Sequence, residues 1–244
     1  MSVVSPNRDA VVAARNNSQW CDAVCRSHGI PGSFAADAWT NARRTPPYYP
    51  DAVTLQPEAN AETILARVDA ASGCTIKDSF SSLDLSRLGF RVLFDAEWIS
   101  RPARKPRTPA TRTSRWVRVA TLPALAQWED AWGADGGAPG LFRPDLLADE
   151  SIVILGHVKA DRIVAGAIAN LADDVVGVSN VFTTTAQEGD PWASCVEAIA
   201  AHFPGRAIVG YESGPTLVAA HRCGFRSVGP LRVWANENAS HGEP

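Results

Sequence analysis

No stretch of this 244-residue chain approaches the ~20 consecutive apolar residues that a membrane-crossing helix needs. Its first residues, MSVVSPNRDAVVAARNN, lack a positively charged start followed by an apolar core, so no signal peptide is expected. An excess of one charge is also missing. A formal net charge of -3 gives no broad basic field, and neither nucleic acid nor a membrane is expected as a partner. Cysteine is scarce and odd in number. Cys21, Cys25, Cys74, Cys195 and Cys223 all lie inside apolar patterns, which points to reduced, buried thiols and a cytoplasmic protein. Cys21 and Cys25 are one helical turn apart, but no spacing supplies the two further ligands a metal would need, so none is expected.

What the chain does have is 45% hydrophobic residues, enough for one large core or two small ones. Residues 101–115, RPARKPRTPATRTSR, interrupt the pattern with three prolines, six basic residues and no acid. Such a stretch cannot join a packed element and reads as a solvated linker, with a phosphate-binding arm as the alternative. It divides the chain into residues 1–100, the linker 101–115 and residues 116–244.

The elements after the linker are well marked. WVRVA (116–120) alternates like a strand, and Leu125, Trp128 and Trp132 share a helical face. SIVILGHV (151–158), RIVAGAIANL (162–171) and VVGVSNVFT (175–183) read as strands joined by tight hairpins. Asp190 and Pro191 open a helix whose buried face is Trp192, Cys195, Val196, Ile199 and Phe203. AIVGY (207–211) is a strand, LVAAHRC (217–223) a helix closed by Gly224, and LRVW (231–234) a last strand. This order predicts an α+β domain in which an antiparallel meander feeds a parallel pair.

The first hundred residues echo the later part of that order. VTL (53–55) is strand-like, Ile64, Leu65 and Val68 share a helical face, and CTIKD (74–78) is a second strand. SLDLSRL (82–88) reads as a short helix before FRVLFDAEWI (90–99). GFRVLFDAEW (89–98) matches GFRSVGPLRVW (224–234), and TIKDSF (75–80) matches IVGYES (208–213). An internal duplication whose first copy has lost its opening meander is expected.

With the ending LVAAHRCGFRSVGPLRVW, residues 115–235 resemble the GNAT acyltransferase superfamily, and the repeat extends the resemblance to most of the remainder. The resemblance implies two GNAT-like mixed-sheet halves, the N-terminal one truncated and degenerate. It implies that the strand at 175–183 splays from the one at 207–211. The pantetheine arm of acetyl-CoA, or of another acyl-CoA, would lie in the resulting V while a small amine takes the acyl group. Cofactor contacts would then fall on Asn180, Val181, Phe182 and Ser213.

The sequence departs from the family pattern at two places. The family's phosphate loop is rich in glycine, whereas residues 184–192 here hold one glycine, Glu188, Asp190 and Pro191. Backbone N–H groups at a helix start hold phosphate and acids repel it, so weak acetyl-CoA binding, no better than high micromolar, is expected. The family's usual tyrosine acid falls on Ala220, with His221 next door but about 100° around the helix. A second function therefore stands beside N-acyl transfer. It is a GNAT-derived protein that has abandoned CoA and binds or transforms another small molecule at the interface of the halves.

The catalytic candidates are Glu212 as a general base, Tyr211 beside it, and His221. Each has a plain alternative: an exposed turn carboxylate, a strand end and a surface imidazole. Asn180 could bond a ligand amide or be a structural amide, and Ser213 could contact cofactor or cap the following helix. Substrate-binding candidates in the first half are Lys77 and Asp78, at a strand end, and Glu97, on the same strand face as Asp95. Asn16, Asn17 and Trp20 begin a helix. The loop NARRTPPYYPD (41–51), with Tyr48 and Tyr49, could cover a pocket or serve as a connector.

Overall fold

The computed structural model describes residues 7–103, 115–133, 137–184 and 191–236. They fall into two compact units, Met1–Trp98 with Ser227–Pro244, and Ile99–Arg226. The expected linker at 101–115 lies, over residues 104–114, outside the described residues.

The first unit opens with α1 (Arg8–Ser27), which starts at Arg8 rather than at the expected Asn16. The Asn7 side chain caps it by accepting from the Asp9 N–H at 3.0 Å. Its buried face begins with Ala10, Ala13 and Ala14, small residues that make a weak apolar signal. Strands β1 (Ser33–Phe34), β2 (Ala38–Thr40) and β3 (Ala52–Thr54) follow, then α2 (Ala61–Leu65), β4 (Thr75–Asp78) and β5 (Phe90–Arg101). The expected helix at 82–88 shrinks to a 3-10 turn at Ser86–Leu88, because Gly89 at φ 86° ends it after three residues. β3 and β4 run parallel with α2 between them. Ile64, Cys74, Ile76, Leu85 and Phe90 form the core of this unit.

The second unit contains β6 (Arg115–Arg118), α3 (Leu122–Trp132), α4 (Asp145–Ala148), β7 (Ile152–Lys159), β8 (Arg162–Ala172) and β9 (Val175–Thr183). It continues with α5 (Trp192–His202), β10 (Ala207–Glu212) and α6 (Gly214–Arg222). The strands lie in the order β10-β9-β8-β7-β6. The pairs Ala160–Asp161 and Asp173–Asp174 have positive φ throughout, the conformation that closes a two-residue hairpin in register with the strand twist. β9 and β10 are the parallel pair, with α5 as the crossover.

One face of the second unit's sheet buries Val176, Val178 and Ile208 against Trp192, Cys195, Val196 and Ile199 of α5, together with Ile99 and Phe225. Each such side chain contributes about 1.5–3 kcal/mol by leaving water. An aromatic cluster covers the other face around Trp128, whose ring meets Phe142 at 5.2 Å and Phe182 at 5.1 Å. The last strand, β11 (Arg226–Asn236), belongs from Ser227 onward to the first unit, where it pairs antiparallel with β4. The short elements β1, β2 and α4 have no counterpart among the sequence expectations, being two to four residues long.

Candidate functional site

The expected splay is present in the second unit. β10 pairs with β9 only through Ala207↔Val175, Ile208↔Val176 and Val209↔Gly177. Both strands then continue unpaired with each other, β9 to Thr183 and β10 to Glu212, and the stretch between them is the candidate slot.

A β-bulge sits on β9 along this slot. Ser179 pairs with Ile168 and Phe182 with Gly166, so Asn180 and Val181 together oppose Ala167. Asn180 takes φ 53°, a left-handed conformation that asparagine tolerates better than most residues. The extra residue re-aims everything after it. Strict alternation would send Asn180 toward the face of Val176 and Val178, but Val181 packs there instead. Phe182 turns to the opposite face and meets Trp128 edge-on. Gly166 makes room for this, since a Cβ there would lie 2.3 Å from the Phe182 ring. Of the four cofactor candidates, then, Asn180 is half-buried at the bulge, while Val181 and Phe182 use their side chains for packing. Just before the bulge, the Ser179 hydroxyl is buried without a hydrogen-bond partner among the described residues.

Glu212 stands at the end of β10, half-buried. Burial pushes its carboxyl above the ordinary range, against a hydrogen bond with Thr216 that lowers it. Tyr211 precedes it on β10, so the two side chains leave opposite faces of the strand. Ser213 is the N-cap of α6, but its exposed side chain makes no capping bond. On α6 it is Ala220 that turns into the core, fully buried, while His221 is exposed. The loop that would hold a diphosphate, with Glu188 and Asp190, lies at residues 185–190 outside the described residues. α5 behind it starts at Trp192, and the expected N-cap Asp190 lies outside the described residues.

The other candidates lie in the first unit. Lys77 is 4% exposed, and its ammonium donates to Asn17 Oδ1 of α1 at 2.7 Å. Asp78 is fully buried. Its carboxylate accepts the Leu83 N–H at 2.8 Å and the Phe80 N–H at 3.3 Å. Burial raises its pKa while these N–H groups oppose the rise. Glu97 is half-buried on β5, and its neighbour Asp95 is engaged by Arg232 at 2.7 and 3.1 Å. That hydrogen bond holds the Asp95 carboxyl below its usual range. In the 41–51 loop Tyr48 is 67% exposed, whereas Tyr49 is buried edge-on against Trp20 at 6.2 Å. The loop is pinned by Arg44 Nη1 donating to Asp51 Oδ2 at 2.6 Å.

The parallel pair of the first unit has no comparable slot. Beyond its two paired positions, the Ser79 N–H donates to Thr54 Oγ1 at 2.8 Å, tying the strand ends together. Trp98 Nε1 donates to the Ser79 carbonyl at 2.8 Å from the buried side. The crossover helix α2 is five residues long, and Asn60 Oδ1 accepts the Thr63 N–H at its start.

Sequence reasoning missed Gly210, Thr216 and Ser179. A lone glycine inside AIVGY was a usable signal, since glycine within a strand marks a bulge or a close approach. The four thiols Cys21, Cys25, Cys74 and Cys195 are buried, and burial pushes Cys25 and Cys74 up to about 12. Among the described residues no group of three His, Cys, Asp or Glu stands together as a metal site. Among them, too, no helix is long and apolar enough to cross a membrane.

At the level of sequence, no protein-family model matches the chain and no curated protein matches it. Among solved structures, a GCN5-related N-acetyltransferase from Kribbella flavida is similar with TM-score 0.61 and 15% identity, over 94% of this chain and 97% of its own. A GNAT-family acetyltransferase structure from Novosphingobium aromaticivorans reaches TM-score 0.56 at 15% identity, covering 91% and 98%. A conserved protein of unknown function from Staphylococcus epidermidis reaches 0.53 at 10% identity over 72% and 76%. At these identities the likeness establishes the fold. The chain has the α+β GNAT fold, as its sequence resemblance implies.

Proposed function

We propose that the protein is an N-acyltransferase that moves an acyl group from acetyl-CoA or another acyl-CoA to a small amine, at the slot of the second unit. The observation that carries this reading is that β9 and β10 stop pairing at Gly177 and Val209 while both strands run on. The residues there suit an extended amide-bearing arm: strand backbone from Val178 to Val181, the amide of Asn180 and the buried, partnerless Ser179 hydroxyl. Bound acyl-CoA supplies an activated thioester carbonyl. Glu212, made a stronger base by burial, takes the proton from the amine. The Kribbella and Novosphingobium proteins, named as acetyltransferases, support the same class of reaction. The duplication read from the sequence belongs to this proposal. Both units contain a strand–helix–strand pair, β3–α2–β4 and β9–α5–β10, and the first is the degenerate copy. Cytoplasmic residence belongs to it too, supported by the buried thiols of Cys21, Cys25, Cys74 and Cys195.

The test is calorimetry of the purified protein with acetyl-CoA, followed by a thiol-release assay over a panel of small amines. Binding with CoA release that depends on one amine class is the expected result. Absence of acyl-CoA binding, with native mass spectrometry finding a different small molecule, would overturn it in favour of a GNAT-derived protein that no longer uses CoA.

A further inference from the structure

We infer that Gly210 is the positioning residue that sets the width of the slot and admits the donor's pantetheine arm, an inference that rests on the acyltransferase reading above. The ladder between β9 and β10 ends at Val209↔Gly177, so Gly210 and Val178 form the first pair of positions that no longer bond. A Cβ placed on Gly210 would lie 2.9 Å from the Val178 carbonyl oxygen and 3.1 Å from Val178 Cγ1. The nearest atom is therefore backbone, which cannot rotate aside as a side-chain tip does. The Ile99 side chain closes the same spot from beneath, 3.9 Å away. In an ordinary parallel ladder a Cβ stands clear of the neighbouring strand's carbonyl, because carbonyls lie in the plane of the sheet and side chains leave it. At Gly210 the Val178 carbonyl instead leans over the face of β10. The two backbones stop pairing here while still in close approach, and a residue without a side chain accommodates that geometry. The bulge at Asn180 and Val181 lies two residues farther along β9 and the Glu212 carboxylate two residues farther along β10. Any displacement of Val178 by a methyl at position 210 is thus passed directly to both.

The strand glycine Gly156 supplies the control. The three atoms nearest a Cβ there all belong to the side chain of Ile163, with its terminal Cδ1 at 3.2 Å. Gly210→Ala and Gly156→Ala are compared with the unaltered protein for acetyl-CoA affinity and for the separate KM values of acetyl-CoA and amine. Because a shift of an ångström at a reacting geometry costs up to about 10²-fold, Gly210→Ala is expected to raise the acetyl-CoA KM by about tenfold or more. The amine KM and the circular dichroism spectrum stay put, and Gly156→Ala changes neither KM. Equal acetyl-CoA affinity in Gly210→Ala and the unaltered protein would overturn the inference while leaving the acyltransferase reading intact. Absence of binding to the unaltered protein would remove both. Hydrogen exchange on the unaltered protein tests where the donor arm lies, without any substitution. Acetyl-CoA should slow exchange at residues 178–183 and 210–212, and protection absent from those two stretches would overturn the assignment.

Discussion

Glu212→Gln separates chemistry from binding and folding in a single substitution. The glutamine keeps nearly the same volume and a polar end group beside Thr216, so the end of β10 need not rearrange. What is lost is the ability to take a proton. A positioned general base is worth about 10²–10⁴-fold, or roughly 3–5 kcal/mol of barrier at 1.36 kcal/mol per factor of ten. kcat should fall by about that factor while the acetyl-CoA affinity is unchanged. The pH dependence carries its own sign. Burial raises the folded-state pKa of Glu212, so the acid limb of kcat/KM should lie above the ordinary carboxylate range and vanish in the variant. Stability moves the other way. A carboxyl whose folded pKa is raised opposes folding once it ionises, so the unaltered protein loses stability as pH rises from the ordinary carboxylate value through the folded pKa. The variant should therefore match it at about pH 4 and melt higher at about pH 8. A pH–rate profile whose acid limb persists in Glu212→Gln would refute the assignment of the base. Equal melting of the two proteins at about pH 8 would refute the burial argument beneath it.

Three further outcomes follow from the packing. Trp128→Ala removes a fully buried ring and the Nε1 donation to the Leu155 carbonyl at 2.9 Å, and should cost the second unit about 3–5 kcal/mol in urea denaturation. Asp51→Asn replaces an oxygen that accepts from Arg44 or from the Thr45 and Thr75 N–H groups with a donor. It should destabilise the first unit by about 3 kcal/mol or more on the same scale. A fragment of residues 116–244 lacks Ile99, fully buried in the second unit, and leaves β11 without the β4 partner it has in the first. It should fail to give the dispersed amide spectrum of the whole chain, and a cooperatively folded fragment would show that the halves are independent.

Strong local periodicity was legible in the sequence. The face of Trp192, Cys195, Val196 and Ile199 on α5 is buried as the 3.6-residue spacing requires, and the meander strands start within a residue of where alternation places them. Elements that take their stability from tertiary contacts were not legible. α1 begins eight residues before Asn16 because alanines fit the core without an apolar signature, and β2 needs β3 beside it to exist. The splay was legible through the family resemblance, with the glycine inside AIVGY as a local signal of close approach between the strands. Asn180 hinted at the bulge through its tolerance of positive φ, yet the same residue reads equally well as a buried amide. Burial of Lys77 and Asp78 was illegible, because a charged pair at a strand end looks solvent-facing until α1 and the 80–83 turn supply its partners.

The contrast between the two parallel pairs gives a physical reason for assigning the chemistry to the second unit. To admit an extended ligand arm, the pair in the first unit would have to break the bonds from Ser79 N–H to Thr54 and from Trp98 to Ser79. Each broken bond leaves a buried donor or acceptor unmet at about 1–3 kcal/mol, so the ligand would have to replace both before gaining any affinity. The start of α2 is no help, since Asn60 already takes one of its N–H groups and a five-residue helix has little dipole to offer an anion. In the second unit the same positions face no such cost. β9 and β10 stop pairing after Gly177 and Val209 with no side chain at Gly210 between them, and the bulge keeps the apolar side of β9 on the core. The two strand–helix–strand pairs thus differ in what they leave unmet. In the first unit the polar groups satisfy one another, and in the second the Ser179 hydroxyl and the raised carboxyl of Glu212 remain for a ligand to meet.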